Sequence, residues 1–183
     1  MSKTFIHFFT IADYEDEEQL LRNKHKNGWK FVKFTLPCFY TFEECTPEDV
    51  IYRLDFIDKS ASEDYIQMFQ DYGWEYKGNC IGWIYFCKPL SKIESEKDGE
   101  IFSDLPSHIH MIEQVIKTRL LPIIVICCFI ILPNFFTSFT DTFGKARIFF
   151  MIVFSLLLVL YLFLIIHCGR KLTKLRKRFE RES

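Results

Sequence analysis

Ile148-Phe149-Phe150-Met151-Ile152-Val153-Phe154 opens a run of twenty residues that reaches Ile166-His167 without a charged side chain. As a helix rising ~1.5 Å per residue it measures roughly 30 Å, the thickness of a bilayer's hydrocarbon core. Only Ser155 and Tyr161 interrupt its apolar surface before His167. A helix apolar on every side is hard to bury inside a small protein, so the run predicts a transmembrane span. Upstream, Leu120–Phe136 is a second uncharged run, of seventeen residues. Pro122 falls in its first turn, where the missing N–H would have no intrahelical partner. Pro133 is expected to end or kink the helix. A spanning helix and a re-entrant segment both fit this shorter run.

Flanking charge sets the expected orientation. Lys117 and Arg119 precede the first run, and Arg170, Lys171, Lys174, Arg176, Lys177, Arg178 and Arg181 follow the second. Between the runs, the short connection carries only Lys145 and Arg147, with Phe135, Phe136, Phe139 and Phe143 suited to a membrane–water boundary. Both termini are therefore expected in the cytosol, in a multi-pass cell-membrane protein. Leu172, Leu175 and Phe179 draw a thin apolar stripe through the basic tail. Such a helix suits anionic headgroups at about 1 kcal/mol per basic residue, although the same charges could serve only to fix orientation. Cys168 sits at the cytosolic edge, as a free thiol or a palmitoylation site.

The near-zero net charge of the 183-residue chain hides an asymmetry. Residues 1–119 hold 14 Lys/Arg against 21 Asp/Glu, a net of −7, whereas residues 120–183 hold 9 against 3, a net of +6. An acidic domain lacks the basic surface that supplies most nucleic-acid affinity, so no direct nucleic-acid partner is expected. Met1–Phe9 is too short for a cleavable signal and is followed closely by the acidic run Glu15–Glu18. The seven cysteines are expected to stay reduced in a cytosolic setting.

Ahead of the membrane hairpin the same pattern occurs twice. Phe5–Thr10 reads as a strand, and Asp13-Tyr14-Glu15-Asp16 opens a helix with Asp13 as its expected N-cap. Gly28 suits the left-handed position past that helix, and strands Phe31–Leu36 and Phe39–Glu44 follow. In the second half, Asp49–Ile57 alternates Tyr52, Leu54 and Phe56 against Arg53 and Asp55, the pattern of a half-buried strand. Ser60-Ala61-Ser62-Glu63 matches a capping box for a helix running to Tyr72. Gly73-Trp74 then precedes strands near Glu75–Cys80 and Ile81–Cys87. The two Gly-Trp pairs stand 45 residues apart, and Tyr40 and Tyr85 each lie eleven residues beyond their tryptophan. The expected fold is α+β: a duplicated β-α-β-β unit forming an antiparallel sheet with two helices on one face, followed by two transmembrane helices.

The expected organisation is a cytosolic α+β domain over 1–90, with repeat units at about 5–45 and 49–89. A charged linker and juxtamembrane helix (91–119) follows, then membrane helices at 120–136 and 148–168 around a loop at 137–147. A basic tail (169–183) ends the chain. The linker helix keeps Ile109, Ile112, Ile116 and Leu120 at helical spacing into the first span.

Several segments, taken in order, resemble a known family. They are Gly28-Trp29, Tyr40-Thr41-Phe42, Ile51-Tyr52-Arg53-Leu54-Asp55-Phe56 and Phe69-Gln70-Asp71-Tyr72-Gly73-Trp74-Glu75-Tyr76. Gly82-Trp83-Ile84-Tyr85-Phe86-Cys87-Lys88-Pro89 and Glu100-Ile101-Phe102-Ser103-Asp104 complete the set. Over residues ~5–115 the chain is similar to the bacterial family called domain of unknown function 2812. The resemblance carries no catalytic residues with it. It implies C-terminal membrane helices and, through frequent neighbouring PadR-like transcriptional regulators, a regulatory setting. Cys87 stands where such proteins commonly have Arg, so a role resting on positive charge there does not transfer.

Candidate chemistry is sparse. Cys38 and Cys45 repeat the spacing of Cys80 and Cys87, but an odd offset along extended chain turns the thiols to opposite faces. They read as small core residues rather than zinc ligands. On a helix His108 and His110 diverge by roughly 200°, and His7 lies among phenylalanines. No metal and no cofactor is expected, and no phosphate loop or nucleophile elbow occurs. The carboxylates Glu15–Glu18 read as a helix start. Trp29, Tyr40, Trp74, Trp83 and Tyr85 either line a shared ligand cleft or form the core of each repeat. The functional expectation is a two-pass membrane protein with a cytosolic binding module for a protein partner, regulatory or signal-relaying in role, and not an enzyme. The alternatives are an accessory subunit of a membrane complex, or an enzyme or binder of a hydrophobic or lipid ligand.

Overall fold

The computed structural model describes residues 1–57, 61–101, 105–139 and 146–182, and the side chains of these except at 96, 97, 105, 106 and 179–182. Ser60, Phe102–Asp104, Phe143 and Lys145, and the side chains of Phe179 and Arg181, lie outside the described residues.

The elements run β1 (Ser2–Ile6), α1 (Tyr14–Lys26), β2 (Trp29–Thr35), β3 (Phe39–Glu44), β4 (Val50–Phe56), α2 (Glu63–Asp71), β5 (Glu75–Cys80) and β6 (Trp83–Pro89). Two long helices follow, α3 (Ser107–Thr137), entered through a turn at Leu105, and α4 (Arg147–Glu182). Each repeat folds its strands into its own antiparallel sheet with the third strand in the centre, β1-β3-β2 and β4-β6-β5. Their irregularities repeat too. The ladders shift register between Phe31 and Lys33 and, 45 residues on, between Tyr76 and Gly78. Gly28 and Gly73 end α1 and α2 with φ of 83° and 82°, the left-handed conformation that glycine adopts without a Cβ penalty. The chain is an α+β protein built on a duplicated unit.

Its layering is finer than one sheet under two helices. Along α1 the buried positions are Tyr14, Glu17, Glu18, Leu21 and His25, a helical stripe pressed against β2 and β4. Tyr52, Leu54 and Phe56 of β4 and Tyr85 and Cys87 of β6 face the core that holds Leu21, Phe31 and Phe42. Ile51, Ile84 and Phe86 point the other way, into a second cluster with Phe69 of α2 and Trp74. The two helices thus cover opposite faces of the second sheet. That is why β4, expected to be half-buried, has Asp55 as well as Leu54 buried.

Local chemistry moves some boundaries. β1 begins earlier than Phe5–Thr10, and Phe8 is left exposed. The cap of α2 is Ser62 rather than Ser60: its side chain accepts from the Tyr65 N–H at 3.2 Å. Asp13 precedes α1 but does not cap it.

α3 does not stop at Pro133. It runs 31 residues, with π-helical turns at Ile116–Leu120 and Cys127–Ile131, each just ahead of a proline-bearing turn. Proline lacks a donor and crowds the preceding turn. A wider i→i+5 turn accommodates both effects within a continuous helix.

Both α3 and α4 are long and apolar enough to cross a membrane, and α4's most apolar window buries no residue inside the protein. A core helix of a soluble domain would be covered, whereas Phe149, Leu156 and Val159 are each about two-thirds exposed. Met111, Ile112 and Val115 of α3 and Cys168, Leu172 and Leu175 of α4 join the main core of the domain.

Candidate functional site

In the acidic run read from sequence as a helix start, every carboxylate is engaged by another part of the chain. Asp13 turns back from the helix: Oδ2 accepts from the Thr10 N–H at 2.8 Å and from the Thr10 hydroxyl at 2.5 Å. Its other oxygen accepts from Lys171 Nζ at 2.5 Å and lies 3.4 Å from His167 Nε2. Asp16 pairs with Lys171 and Glu15 with Arg178. One turn beyond the apolar run, the tail of α4 is therefore docked on the first turn of α1, and Arg176 adds a 3.5 Å pair to Glu113 of α3.

Glu17 and Glu18 point inward, into the apolar face of α1. Glu17 Oε1 accepts from Tyr40 Oη at 2.8 Å and from Tyr85 Oη at 2.7 Å. These tyrosines are the matched pair of the two repeats, on the central strand of each sheet, so one carboxyl ties the duplicated halves together. Burial raises the Glu17 pKa while the two hydroxyls pull it back.

Glu18 lies one step round the helix. Its Oε1 accepts from the Leu54 N–H at 2.7 Å and its Oε2 lies 3.2 Å from Arg53 Nη1. Burial pushes its carboxyl up to about 8 against the pull of Arg53. Arg53 also donates from Nε and Nη2 to Glu100, at 3.0 and 2.6 Å, a bidentate geometry available to guanidinium and not to ammonium. One arginine thus joins α1, β4 and the segment leading into α3.

Of the five aromatics considered as a cleft, only Tyr40 and Tyr85 come together, on Glu17. Trp83 stacks on Tyr14 at 5.5 Å and meets Phe56 edge-on at 5.3 Å. Trp29 packs against Phe5 with Lys3 over its ring, and Trp74 belongs to the second cluster. An open groove of about 510 Å³ lies elsewhere, lined by Asp55, Phe56, Tyr65, His110, Met111 and Gln114, between the second sheet, α2 and α3. Asp55 accepts from Tyr65 Oη and from the Phe56 N–H, and burial raises its pKa.

The tail residues considered for lipid contact divide. Lys171 and Arg178 are paired to α1 and Arg176 to α3, while Arg170, Lys174 and Lys177 are exposed and form no ion pair among the described residues. All seven cysteines are free thiols, and burial pushes Cys87 up to about 12. Among the described residues no group of three or more His, Cys, Asp or Glu side chains is placed to hold a metal ion.

These features define a class: an α+β domain of two repeats, bolted through one acidic helix to a pair of long apolar helices. The chain belongs to the family described as protein of unknown function (DUF2812), whose model matches residues 13–125. That match begins at the acidic run and ends within α3, so α4 lies outside it. No curated protein and no solved structure matches the chain.

Proposed function

We propose that the protein is a two-pass membrane protein with both termini in the cytosol, whose N-terminal domain is an interaction module that relays the state of the membrane hairpin to a protein partner. The observation that carries this reading is the division of labour along α1. Asp13, Glu15 and Asp16 hold the α4 tail, while Glu17 and Glu18 hold the two sheets and Arg53. A shift of α4 relative to α1 would therefore load the contact that joins the repeats. α3 adds a second rigid link, running from the domain core into the apolar run as one helix. The few basic residues in the connection between the helices support the orientation.

The binding reading is favoured over catalysis because the carboxylates raised by burial, Glu17, Glu18 and Asp55, are each hydrogen-bonded within the domain. Crosslinking in cells, purification in mild detergent and mass spectrometry test it. A stoichiometric partner that is lost on deletion of residues 1–105, and whose capture changes in a Lys171→Gln variant, supports the relay. A partner held equally by the hairpin alone favours an accessory subunit of a membrane complex. The open groove between the domain and α3, where Phe56, Ile57 and Met111 lie beside Asp55, Tyr65 and His110, supports a second reading, a small hydrophobic ligand carrying a polar group. Thermal-shift screening of the full chain against apolar ligands tests that reading.

A further inference from the structure

The tail of α4 is two-sided, and only one side is used by the protein. Cys168, Leu172 and Leu175 form the buried stripe, flanked by the paired Lys171 and Arg178. On the outward side, Phe163, Ile166, Arg170, Lys174 and Lys177 fall within about 40° of one line at 3.6 residues per turn. Phe163 and Ile166 are 59% and 49% exposed. All five line one open groove beside the start of α1, whose acidic member there, Glu15, is already engaged by Arg178. Resting on the reading that α4 spans the bilayer, we propose that this stripe is a binding site for an anionic glycerophospholipid of the adjacent leaflet. Phe163 and Ile166 pack against the acyl chains, and Arg170, with Lys174 and Lys177 on the next turns, holds the phosphate and headgroup.

The order along the helix is what selects a lipid. The apolar pair precedes Arg170, the first of the cations, by one to two turns, at the depth where chain gives way to phosphate. Arg170 is nearest the apolar run and can meet a phosphate bidentately. Lys177 stands about 10 Å farther along the axis, within one Debye length of the charged surface at about 0.1 M salt. Lys171 and Arg178 are neutralised by α1 and Arg176 is paired with Glu113, while the side chain of Arg181 lies outside the described residues, so the expected contact of seven basic residues narrows to Arg170, Lys174 and Lys177 among the described side chains.

The test uses the full chain, comparing lipid retained by native mass spectrometry after exchange from bilayer nanodiscs of phosphatidylcholine with and without phosphatidylglycerol. Selective retention of phosphatidylglycerol is expected, falling about tenfold or more in an Arg170→Gln, Lys174→Gln, Lys177→Gln variant. A variant of equal charge loss in the N-terminal domain, Lys30→Gln, Lys33→Gln, Lys92→Gln, is expected to retain lipid as the unaltered chain does. Equal loss in both variants would overturn the site in favour of net charge alone. Unselective retention of phosphatidylcholine would overturn it as well. Displacement by millimolar glycerol 3-phosphate, with no requirement for acyl chains, would show a soluble-phosphate site and overturn the lipid assignment. If α4 does not span, protease protection of its apolar run in nanodiscs fails independently of any lipid result.

Discussion

Lys171 Nζ donates to Asp13 Oδ1 at 2.5 Å across 158 positions of sequence, joining the far end of the apolar hairpin to the start of the first repeat's helix. Lys171 is about a quarter exposed and Asp13 less than that, so the pair is shielded beyond an ordinary surface bridge.

Asp13→Asn and Lys171→Gln should each loosen the tail, and their double-mutant cycle should give a coupling of about 1 kcal/mol. Hydrogen exchange of residues 168–178 is the readout, and additive effects would mean that the pair is not coupled. Burial raises the Asp13 carboxyl, but Lys171 and Thr10 outweigh it and hold it at about 2. A depressed carboxylate contributes stability above its unfolded value, near 3.8. The tail contact is therefore intact at neutral pH and weakens as pH falls from about 4 towards 2.

Glu18 acts with the opposite sign in a separate window. Its folded value, about 8, exceeds its ordinary 4.5, so the folded state holds the proton more tightly and stability declines as pH rises between those limits. Melting temperature should fall from pH 5 to pH 8 in the unaltered protein and change less over that range in Glu18→Gln. An identical slope in both would show that Glu18 is not the group responsible.

Arg53→Ala leaves Glu18 buried without its cation and frees Glu100. Glu18 largely holds its proton near neutral pH and Glu100 is partly exposed, so the loss is that of charge-assisted hydrogen bonds, about 1.5–3 kcal/mol. Arg53→Lys should recover only part of that, because one ammonium cannot span both Glu100 oxygens and Glu18. Denaturant titration of the detergent-solubilised protein, followed by tryptophan fluorescence, measures both.

Gly82 turns the β5–β6 hairpin at φ +80°, and a Cβ there would meet Phe56 Cε2 at 2.8 Å and the Ile57 carbonyl oxygen at 3.0 Å. Gly82→Ala should destabilise by about 1–3 kcal/mol through backbone strain and the shifted ring, read as a lower melting temperature.

Much of the scaffold was legible because it is periodic. Matched Gly-Trp pairs gave the duplication, and charge-free runs gave the two long helices. The site was harder to read because its residues carry ambiguous signals. Glu17 and Glu18 occupy the 14-17-18-21-25 stripe where a buried helix face would hold apolar side chains, and that misplacement was the available clue. Read as a run, they look like favourable charges at a helix start. Their partners Tyr40, Tyr85 and Arg53 are 23 to 68 residues away, and nothing local points to them. Asp13 resembles a cap, yet a lysine beyond the hairpin competes for it. Pro133 marks a break in an isolated helix, and a π turn removes the need for one.

The docking of α4 on α1 is tested most directly by carbodiimide, which joins an amine to a carboxylate only when they are in contact. The full chain in nanodiscs, treated with the reagent and digested, should yield an intramolecular crosslink from Lys171 to Asp13 or Asp16. An equal mixture of isotopically light and heavy protein should give no mixed-mass species. A Lys171 that stays open to amine labelling and forms no such crosslink, or one that crosslinks only between copies, would contradict the account.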